Sequence, residues 1–238
     1  MPFAVFSDIH GNWEALETAA ACAKDRGINR FVVLGDTVGY GANPNECLEW
    51  ALNHAAVNLF GNHERALLEP DLKKQFNPYA REAIEWTAEV LKPELLERIR
   101  DLPYSRIEDG LTFAHGSPYQ PEEFHYLMNF KDAGPSFRQM QTSVCFVGHT
   151  HVPACFCEQK GSMEYLRPGP RKIEKGGRVI LNPGSVGQPR DRDTRLSFGI
   201  YDSEAASFEV VRLAYDNHRA AGKIRKAGLP SFLADRLL

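Results

Sequence analysis

The chain has 238 residues, of which 43% are hydrophobic and 11% aromatic, enough to bury a full core as one large domain or two small ones. Its formal net charge of −3 argues against a broad cationic surface for nucleic acid or acidic lipid. No uncharged hydrophobic run approaches the ~20 residues that span a bilayer, and the N-terminal stretch lacks the features of a secretion signal. We therefore expect a soluble, cytoplasmic protein.

Cysteine usage agrees with a reducing compartment. There are five cysteines, an odd number, and no CxxC pair. Cys155 and Cys157 in "ACFCE" could bind a metal, but thiolate sites need more ligands nearby. Their alternation with Phe156 favours a strand instead.

The first third of the chain alternates strand and helix. Residues 3–7, 31–34 and 57–60 read as short buried strands. Asn12 is placed to cap a helix after the first strand, and Pro44 to begin a second helix that runs to about residue 55. Strands joined by helices in this way predict parallel pairing with right-handed crossovers.

The rest of the chain divides into three further parts. Residues 70–103 look helical and less tied to the sheet, with helices beginning near Pro78 and Pro93. Apolar runs separated by Gly, Pro and Asp then predict a strand-rich segment. From about 216 to 238 we predict a basic helical tail that packs on the body of the protein or on a second copy. Without repeats or flexible linkers, residues 1–238 are predicted to form a single domain.

Polar residues able to bind metal recur where the apolar runs end. They are Asp8 and His10 after "FAVFS", Asp36 after "FVVLG", Asn62 and His63 after "VNLFG", His115 after "LTFA", and His149 and His151 after "VCFVG". Ligands of open parallel sheets bind outside the carboxyl ends of the strands, so these side chains converge if the strands are neighbours. A turn explains one such residue but not five successive ones.

Spacing along the chain supports this convergence. Asp8 to Asp36 and Asp36 to Asn62 are each close to the ~30 residues of one strand-helix-strand unit, which returns the chain to the same edge. In extended backbone, residues two apart project to one side with bases ~6.6 Å apart. We therefore expect the two polar residues of "DIH", and those of "HTH", to reach one metal or two adjacent ones.

The ordered motifs "SDIHGN", "GDTVGYG", "GNHE", "AHGSP" and "GHTHVP" resemble those of the calcineurin-like metallophosphoesterase superfamily. The likeness is to its small prokaryotic branch of phosphodiesterases and diadenosine tetraphosphatase-like proteins. It covers residues 7–151, and "LNPGSVGQPRD" extends it to about residue 191. The resemblance implies two mixed β-sheets packed as a sandwich and flanked by helices, with residues 70–103 as a helical insertion.

The resemblance also implies a dinuclear metal centre. One ion would be bound by Asp8, His10, Asp36 and His151, and the second by Asp36, Asn62, His115 and His149. Oxygen and imidazole ligands without thiolate suit Mn²⁺, Fe²⁺ or Fe³⁺, Zn²⁺, Ni²⁺ or Co²⁺ and do not select among them. Asp36 would bridge the two ions.

By the same resemblance, a hydroxide held between the metals would attack the phosphorus of a phosphodiester, nucleotide or small phosphoester. His63 would bind the phosphoryl oxygen or protonate the leaving group. The alternative reading of His63 is a residue that caps the next helix. His54, His125 and His218 lie outside any motif and are expected to be surface or packing residues.

The chain departs from the superfamily pattern after Asp36. Protein phosphatases of this superfamily continue with an acidic residue, which orients the catalytic histidine, and an arginine that binds phosphate, where this sequence has Gly39 and Tyr40. Tyrosine cannot reproduce a bidentate guanidinium contact, which argues against protein dephosphorylation. Arg190 and Arg195 could supply a replacement, or could belong to a solvated loop.

Three alternatives stay open. They are a serine/threonine-type protein phosphatase, a nuclease, which the absence of a basic groove disfavours, and a non-catalytic interaction scaffold on the same fold. A scaffold would show loss of ligands, whereas all seven candidate ligands and His63 are present. The sequence does not name the substrate, the native metal, the oligomeric state, the role of residues 70–103, or the group that orients His63.

Overall fold

The computed structural model describes residues 1–174 and 176–238. The first part of the chain contains β1 (Phe3–Phe6), α1 (Trp13–Asp25), β2 (Phe31–Val33), α2 (Pro44–His54), β3 (Ala55–Asn58), α3 (Asn62–Leu68), a 3₁₀ helix (Pro70–Gln75), α4 (Pro78–Val90) and α5 (Pro93–Ile99). The alternation of strand and helix predicted for this part, and the helical nature of residues 70–103, are confirmed.

The second part is rich in strands, as predicted. It contains β4 (Ser105–Glu108), β5 (Leu111–Ala114), a 3₁₀ turn (Pro121–Glu123), α6 (Phe130–Gln139), β6 (Val144–Phe146), β7 (Ala154–Cys157), β8 (Ser162–Tyr165), β9 (Gly169–Lys172), β10 (Val179–Asn182), β11 (Leu196–Asp202), β12 (Ser207–Leu213), α7 (Asn217–Lys226) and α8 (Ser231–Asp235). Cys155 and Cys157 lie on β7, in agreement with the predicted strand. The single-domain organisation stays a prediction.

The strands form two mixed six-stranded sheets. Their orders are β3-β2-β1-β11-β12-β9 and β4-β5-β6-β10-β7-β8. The three N-terminal strands pair in parallel, with Val5 opposite Val32 and Val33 opposite Asn58. In the second sheet β5, β6 and β10 are also parallel neighbours. The carboxyl ends of these strands therefore lie along shared edges, which is the condition for the polar residues that follow them to meet.

The apolar core between the sheets makes the structure a sandwich. Strands of both sheets contribute fully buried side chains such as Val5, Val32 and Leu181. Phe3 of the first sheet packs against Phe113 and Phe146 of the second, with ring centroids 6.2 and 5.8 Å apart in edge-to-face geometry that aromatic pairs prefer. This confirms the two-sheet sandwich.

Helices cover the outer faces and surround the site. Asn12 caps α1 by accepting a hydrogen bond from the backbone N–H of Ala15 at 3.2 Å, as predicted. Helices α7 and α8 pack with α4 in a separate apolar cluster that also contains Tyr40. The helices after residue 70 and those after residue 216 are thus packed together next to the motif that carries Asp36. Within the described residues, no helix is both long enough and apolar enough to cross a bilayer.

Candidate metal centre

The residues predicted to bind metal lie together at the carboxyl ends of the strands, and all of them except the half-buried Asn62 are buried. Asp8, His10, Asp36, His115, His149 and His151 are each at most 5% exposed. Together with His63 they form three overlapping groups, and within each group the atoms that could bind a metal lie within 4.8 Å of one another. The groups are Asp8, His10 and His151; His10, Asp36 and His63; and Asp36, His115 and His149.

The first cluster gathers around His10. Its Nε2 lies 3.2 Å from Nε2 of His151, 3.9 Å from Oδ1 of Asp8 and 3.8 Å from Oδ2 of Asp36. Oδ1 of Asp8 is 3.3 Å from Nε2 of His151. Four donor atoms therefore face one small volume.

The second cluster gathers around His115. Its Nε2 lies 3.2 Å from Oδ2 of Asp36, 3.2 Å from Oδ1 of Asn62 and 3.2 Å from Nδ1 of His149. The same Asp36 oxygen thus faces His10 in the first cluster and His115 in the second. This is the placement predicted for a bridging carboxylate.

Backbone contacts fix the tautomers of three histidines in the clusters. Nδ1 of His10 lies 3.0 Å from the carbonyl oxygen of Val38, that of His115 3.0 Å from Leu34, and that of His151 2.6 Å from Gln188. A carbonyl only accepts, so each Nδ1 carries the proton and donates it. In neutral imidazoles this leaves the Nε2 lone pairs directed into the clusters, the arrangement in which histidine binds metal.

The lone pairs that face one another in the clusters show whether these residues fit a metal ion. Nε2 of neutral His10 and Nε2 of His151 face each other as two acceptors, and the buried Oδ1 of Asp8 has no hydrogen-bond donor among the described residues. Such contacts repel unless a cation lies between them. Two ligands at ~2.0 to 2.2 Å from one ion stand about 3 to 3.5 Å apart, close to the separations in each cluster. The donor set therefore suits metal ions.

Protonation in the metal-free protein follows the same logic. Burial lowers the pKa of His149 to about 3 and that of His63 to about 4, and it lowers the pKa values of His10 and His151. Burial also disfavours charged His115, but the Asp36 carboxylate outweighs it and raises the pKa of His115 to about 9. Without metal, a proton on His115 takes the place of a cation in the second cluster.

The backbone at the candidate ligands departs from the extended conformation assumed from the sequence. Asp8, His10, Asp36, His149 and His151 all have positive φ, between 51° and 67°. This left-handed conformation is uncommon for residues other than glycine and costs ~1 to 3 kcal/mol at each position. His149 and His151 point to different clusters, while Asp8 and His10 share one. The convergence was predicted correctly, but the extended geometry was wrong.

Glu64 holds the loop that carries Asp36, a role that the sequence reasoning missed. Its buried carboxylate accepts hydrogen bonds from the backbone N–H groups of Asp36, Thr37, Val38 and Gly61, at 2.8 to 3.1 Å. Burial and the charge of Asp36 raise the pKa of Glu64 to about 7. The only sequence signal was the final residue of "GNHE", which lies within the first turn of α3.

The segment after β10 ties two ligand loops together. Asn182 donates to the carbonyl oxygen of Gly148 at 2.7 Å, and the Ser185 hydroxyl donates to that of Asp8 at 2.8 Å. The backbone N–H of Gly187 donates to the same Asp8 oxygen at 3.0 Å. "NPGS" therefore lies next to the site, with Asn182 at the end of β10.

His63 lies on the first turn of α3 and points into the site instead of capping the helix. Its Nε2 is 3.9 Å from Oδ2 of Asp36, and its Nδ1 has no hydrogen-bond partner among the described residues. Aromatic rings surround it, with centroid distances of 4.7 Å to Tyr40, 4.7 Å to His10 and 5.1 Å to Phe76. Packing against these rings thus orients the imidazole, whereas protein phosphatases of the superfamily use an acidic residue for this purpose.

A central pocket of about 160 Å³ opens over the two clusters. Arg190 lines it together with Tyr40, and its Nη2 donates to the Tyr40 hydroxyl at 3.4 Å and to Oε1 of Gln188 at 3.2 Å. Arg195 is not among the lining residues, and its guanidinium pairs with the Asp193 carboxylate at 2.7 Å. Of the two arginines considered, Arg190 is the one at the site.

The sandwich fold and this set of histidine and carboxylate donors define a metal-dependent hydrolase of phosphoric esters. Comparison with known proteins gives the family. Residues 1–206 match the calcineurin-like phosphoesterase superfamily domain, and the chain belongs to that superfamily.

Individual relatives agree with this assignment. The chain is 38% identical over 240 residues to the uncharacterized protein MJ0912 of Methanocaldococcus jannaschii, covering 98% of this chain and 96% of the relative. It is 26% identical over 187 residues to the phosphodiesterase YfcE of Escherichia coli, covering 76% and 83%. The crystal structure of a metallophosphoesterase from Sphaerobacter thermophilus superposes with a TM-score of 0.89 at 36% identity, covering 100% and 98%.

Proposed function

We propose that this protein is a dinuclear metal-dependent phosphoesterase that hydrolyses phosphodiesters, nucleotides or other small phosphoesters. The observation that carries the proposal is the position of Asp36, whose Oδ2 lies 3.8 Å from Nε2 of His10 and 3.2 Å from Nε2 of His115. One carboxylate oxygen is thereby available to both clusters.

The two clusters are the proposed metal sites. Asp8, His10, Asp36 and His151 would hold one ion, and Asp36, Asn62, His115 and His149 the other. Two divalent ions so bound would polarise phosphoryl oxygens and lower the pKa of water toward ~7. The two aspartates would reduce their charge of about +4 to about +2, which would suit a phosphate ligand.

His63 is proposed to assist the departing oxygen. To transfer a proton to that oxygen it must be the imidazolium, whose charge Asp36 favours against burial, and its ring faces the central pocket beside Asp36. Proton donation of this kind contributes typically ~10² to 10⁴ in rate. The aromatic contacts with Tyr40 and Phe76 hold the ring in that position.

Arg190 is proposed to bind the phosphoryl group. Tyr40 stands where protein phosphatases of this superfamily have the arginine, and the Arg190 guanidinium lies 5.9 Å from the centre of the Tyr40 ring. Its Nε is buried without a partner among the described residues, so it is free to donate to an incoming anion. A different arginine would thereby supply this contact from a different loop.

A preference for phosphodiesters over phosphoproteins is the finer part of the proposal. It is supported by Tyr40 at the position of the missing arginine and by the name of the relative from Escherichia coli, a phosphodiesterase.

The proposed ligands suit several transition metals, namely Mn²⁺, Fe²⁺ or Fe³⁺, Zn²⁺, Ni²⁺ and Co²⁺. The five free cysteines support our prediction of a cytoplasmic location.

Turnover of three substrates by Mn²⁺-loaded protein tests the function. We expect bis-p-nitrophenyl phosphate to be hydrolysed with a higher kcat/KM than the monoester p-nitrophenyl phosphate. Diadenosine tetraphosphate is the third substrate. Faster turnover of the monoester would overturn the diester preference. Hydrolysis of none of them by metal-loaded protein would contradict the enzyme assignment.

A further inference from the structure

A second cavity, here called the side pocket, opens beside the candidate metal centre. Its volume is about 440 Å³, within the ~300 to 1,000 Å³ range of small-molecule sites. It shares five lining residues with the central pocket, namely Asn62, Gln75, Phe76, Tyr126 and His149. A molecule whose phosphate occupied the central pocket could therefore extend into the side pocket without leaving the protein surface.

Aromatic groups line the side pocket where it meets the metal centre. The Tyr126 ring lies nearly parallel to that of His149, with centroids 3.8 Å apart and an interplanar angle of 20°. Tyr126 nevertheless remains 50% exposed. Phe76 and Phe124 also line the pocket, and Phe124 packs edge-on against His115 with centroids 5.8 Å apart. Such surfaces favour a flat ring, because aromatic groups associate by stacked or edge-to-face contact.

The charges around the side pocket disfavour a second phosphate. Among the described residues that line it, Arg65 is the only arginine or lysine. Its Nε donates to Glu69 at 3.1 Å, and its Nη1 donates to the carbonyl oxygen of Glu122 at 2.6 Å. Glu122 and Glu123 line the pocket with exposed side chains. One guanidinium and two carboxylates give the lining of the side pocket a formal charge of about −1, which repels a phosphate chain. The carboxylates accept hydrogen bonds from hydroxyl or amino groups.

We infer that the side pocket binds an uncharged, planar group with hydrogen-bond donors, esterified to the phosphate, as in a nucleoside. This inference rests on the proposed function and narrows it to nucleoside diesters of a single phosphate. A polyphosphate chain in the side pocket would face the two glutamates. His125, expected to be an ordinary surface residue, lines this pocket.

Two diesters with the same leaving group test the inference. Thymidine 5′-(p-nitrophenyl phosphate) and methyl p-nitrophenyl phosphate both release p-nitrophenolate, so their difference in kcat/KM reports on the other ester group. We expect the thymidine diester to have a kcat/KM at least about tenfold higher, equivalent to ~1.4 kcal/mol. Phenyl p-nitrophenyl phosphate should fall between them, because it supplies the ring but not the hydrogen bonds.

Filling the side pocket should remove this preference. Leu72 lines the side pocket but not the central one, and we expect Leu72→Trp to bring the thymidine-to-methyl ratio of kcat/KM close to 1. The matched control is Leu96→Trp, a half-buried leucine on α5 that lines neither pocket and should keep the wild-type ratio. Loss of the ratio in both variants would overturn the assignment to the side pocket.

A charge reversal provides a test in case Leu72→Trp does not fold. Glu123→Lys changes an exposed residue, and we expect it to reduce the preference for the thymidine diester over diadenosine tetraphosphate. An unchanged preference would overturn the role of the glutamates.

Equal turnover of the thymidine and methyl diesters by the wild-type protein would overturn the inference but leave the proposed function standing. Failure to hydrolyse either would overturn both.

Discussion

Gly39 has a steric role that its place in the motif did not reveal. A Cβ atom at this position would lie 2.1 Å from Nδ1 of His63, so only glycine leaves room for the imidazole. Its φ of +84° is also unfavourable for other residues. Gly39 thus lies directly under His63.

Gly39→Ala should therefore displace His63 and lower kcat by about 10²-fold, at the lower end of the contribution expected from a general acid. The control is Gly110→Ala, which has a similar φ of +73° but nothing within 4 Å of the added Cβ. Both variants bear the cost of a left-handed alanine, so a difference in kcat isolates the His63 contact. Metal content should be unchanged in both. Equal kcat values would contradict the steric role.

The candidate ligands were predictable from the sequence because each follows an apolar run in a fixed order. What the sequence could not provide was the left-handed backbone at residues such as Asp8 and His151, since Asp and His adopt it more often than other side chains but still only in a minority of cases. Neither could it provide the partner that orients His63. That orientation depends on Phe76, which comes from the helical insertion and meets the site only in the folded chain.

At the level of elements, the Asp36 loop is held by α3. Glu64 reaches back from the first turn of this helix to four backbone N–H groups, one of them that of Asp36 itself. A carboxylate satisfies these donors because both of its oxygens accept. The loop conformation and the start of α3 are thus coupled through one side chain.

Glu64→Gln should lower the free energy of unfolding by about 1 to 3 kcal/mol, because the amide NH₂ would face buried N–H donors and leave them unsatisfied. Urea denaturation of chelator-treated protein measures this separately from metal binding. Glu89→Gln, at an exposed position of α4, should change the unfolding free energy by less than about 0.5 kcal/mol. An equally small effect at Glu64 would argue against its structural role.

The helical insertion contributes to the site through its first residues. Gln75, Phe76 and Asn77 line the central pocket, and Tyr79 stacks on Phe232 of α8 with ring centroids 4.7 Å apart. Its helices were predicted because Pro78 and Pro93 mark their starts. The strands β4, β8 and β9 were not, because they are short and largely exposed and lack an apolar run.

At the scale of the whole molecule, burial of the histidines makes stability depend on pH. In metal-free protein the pKa of His63 is lowered by burial to about 4 and that of His149 to about 3, from an ordinary value of 6.5. The unfolded chain therefore binds protons below about pH 6.5 that the folded chain excludes. His115 acts oppositely, since its raised pKa stabilises the fold below 6.5, and this contribution is lost as the pH rises through about 9.

Below about pH 6.5, four histidines with lowered pKa values outweigh Glu64, whose pKa is raised to about 7 and which acts in the opposite direction, so acidification should destabilise metal-free protein. We expect the urea midpoint in chelator to fall from pH 6.5 to pH 5.0. Bound Mn²⁺ should raise the midpoint at pH 7.5, and less so at pH 5.0, because protons compete for the imidazoles. A midpoint that stayed constant or rose on acidification would contradict this account.

Metal content of the purified protein is the most direct test of the shared role of Asp36. We predict two transition-metal ions per chain in the wild-type protein prepared without added metal, and fewer than about one in Asp36→Asn, because both clusters lose the same oxygen. Asp101→Asn, at an exposed position, should keep both ions. Two ions retained in Asp36→Asn would contradict a carboxylate shared between the clusters.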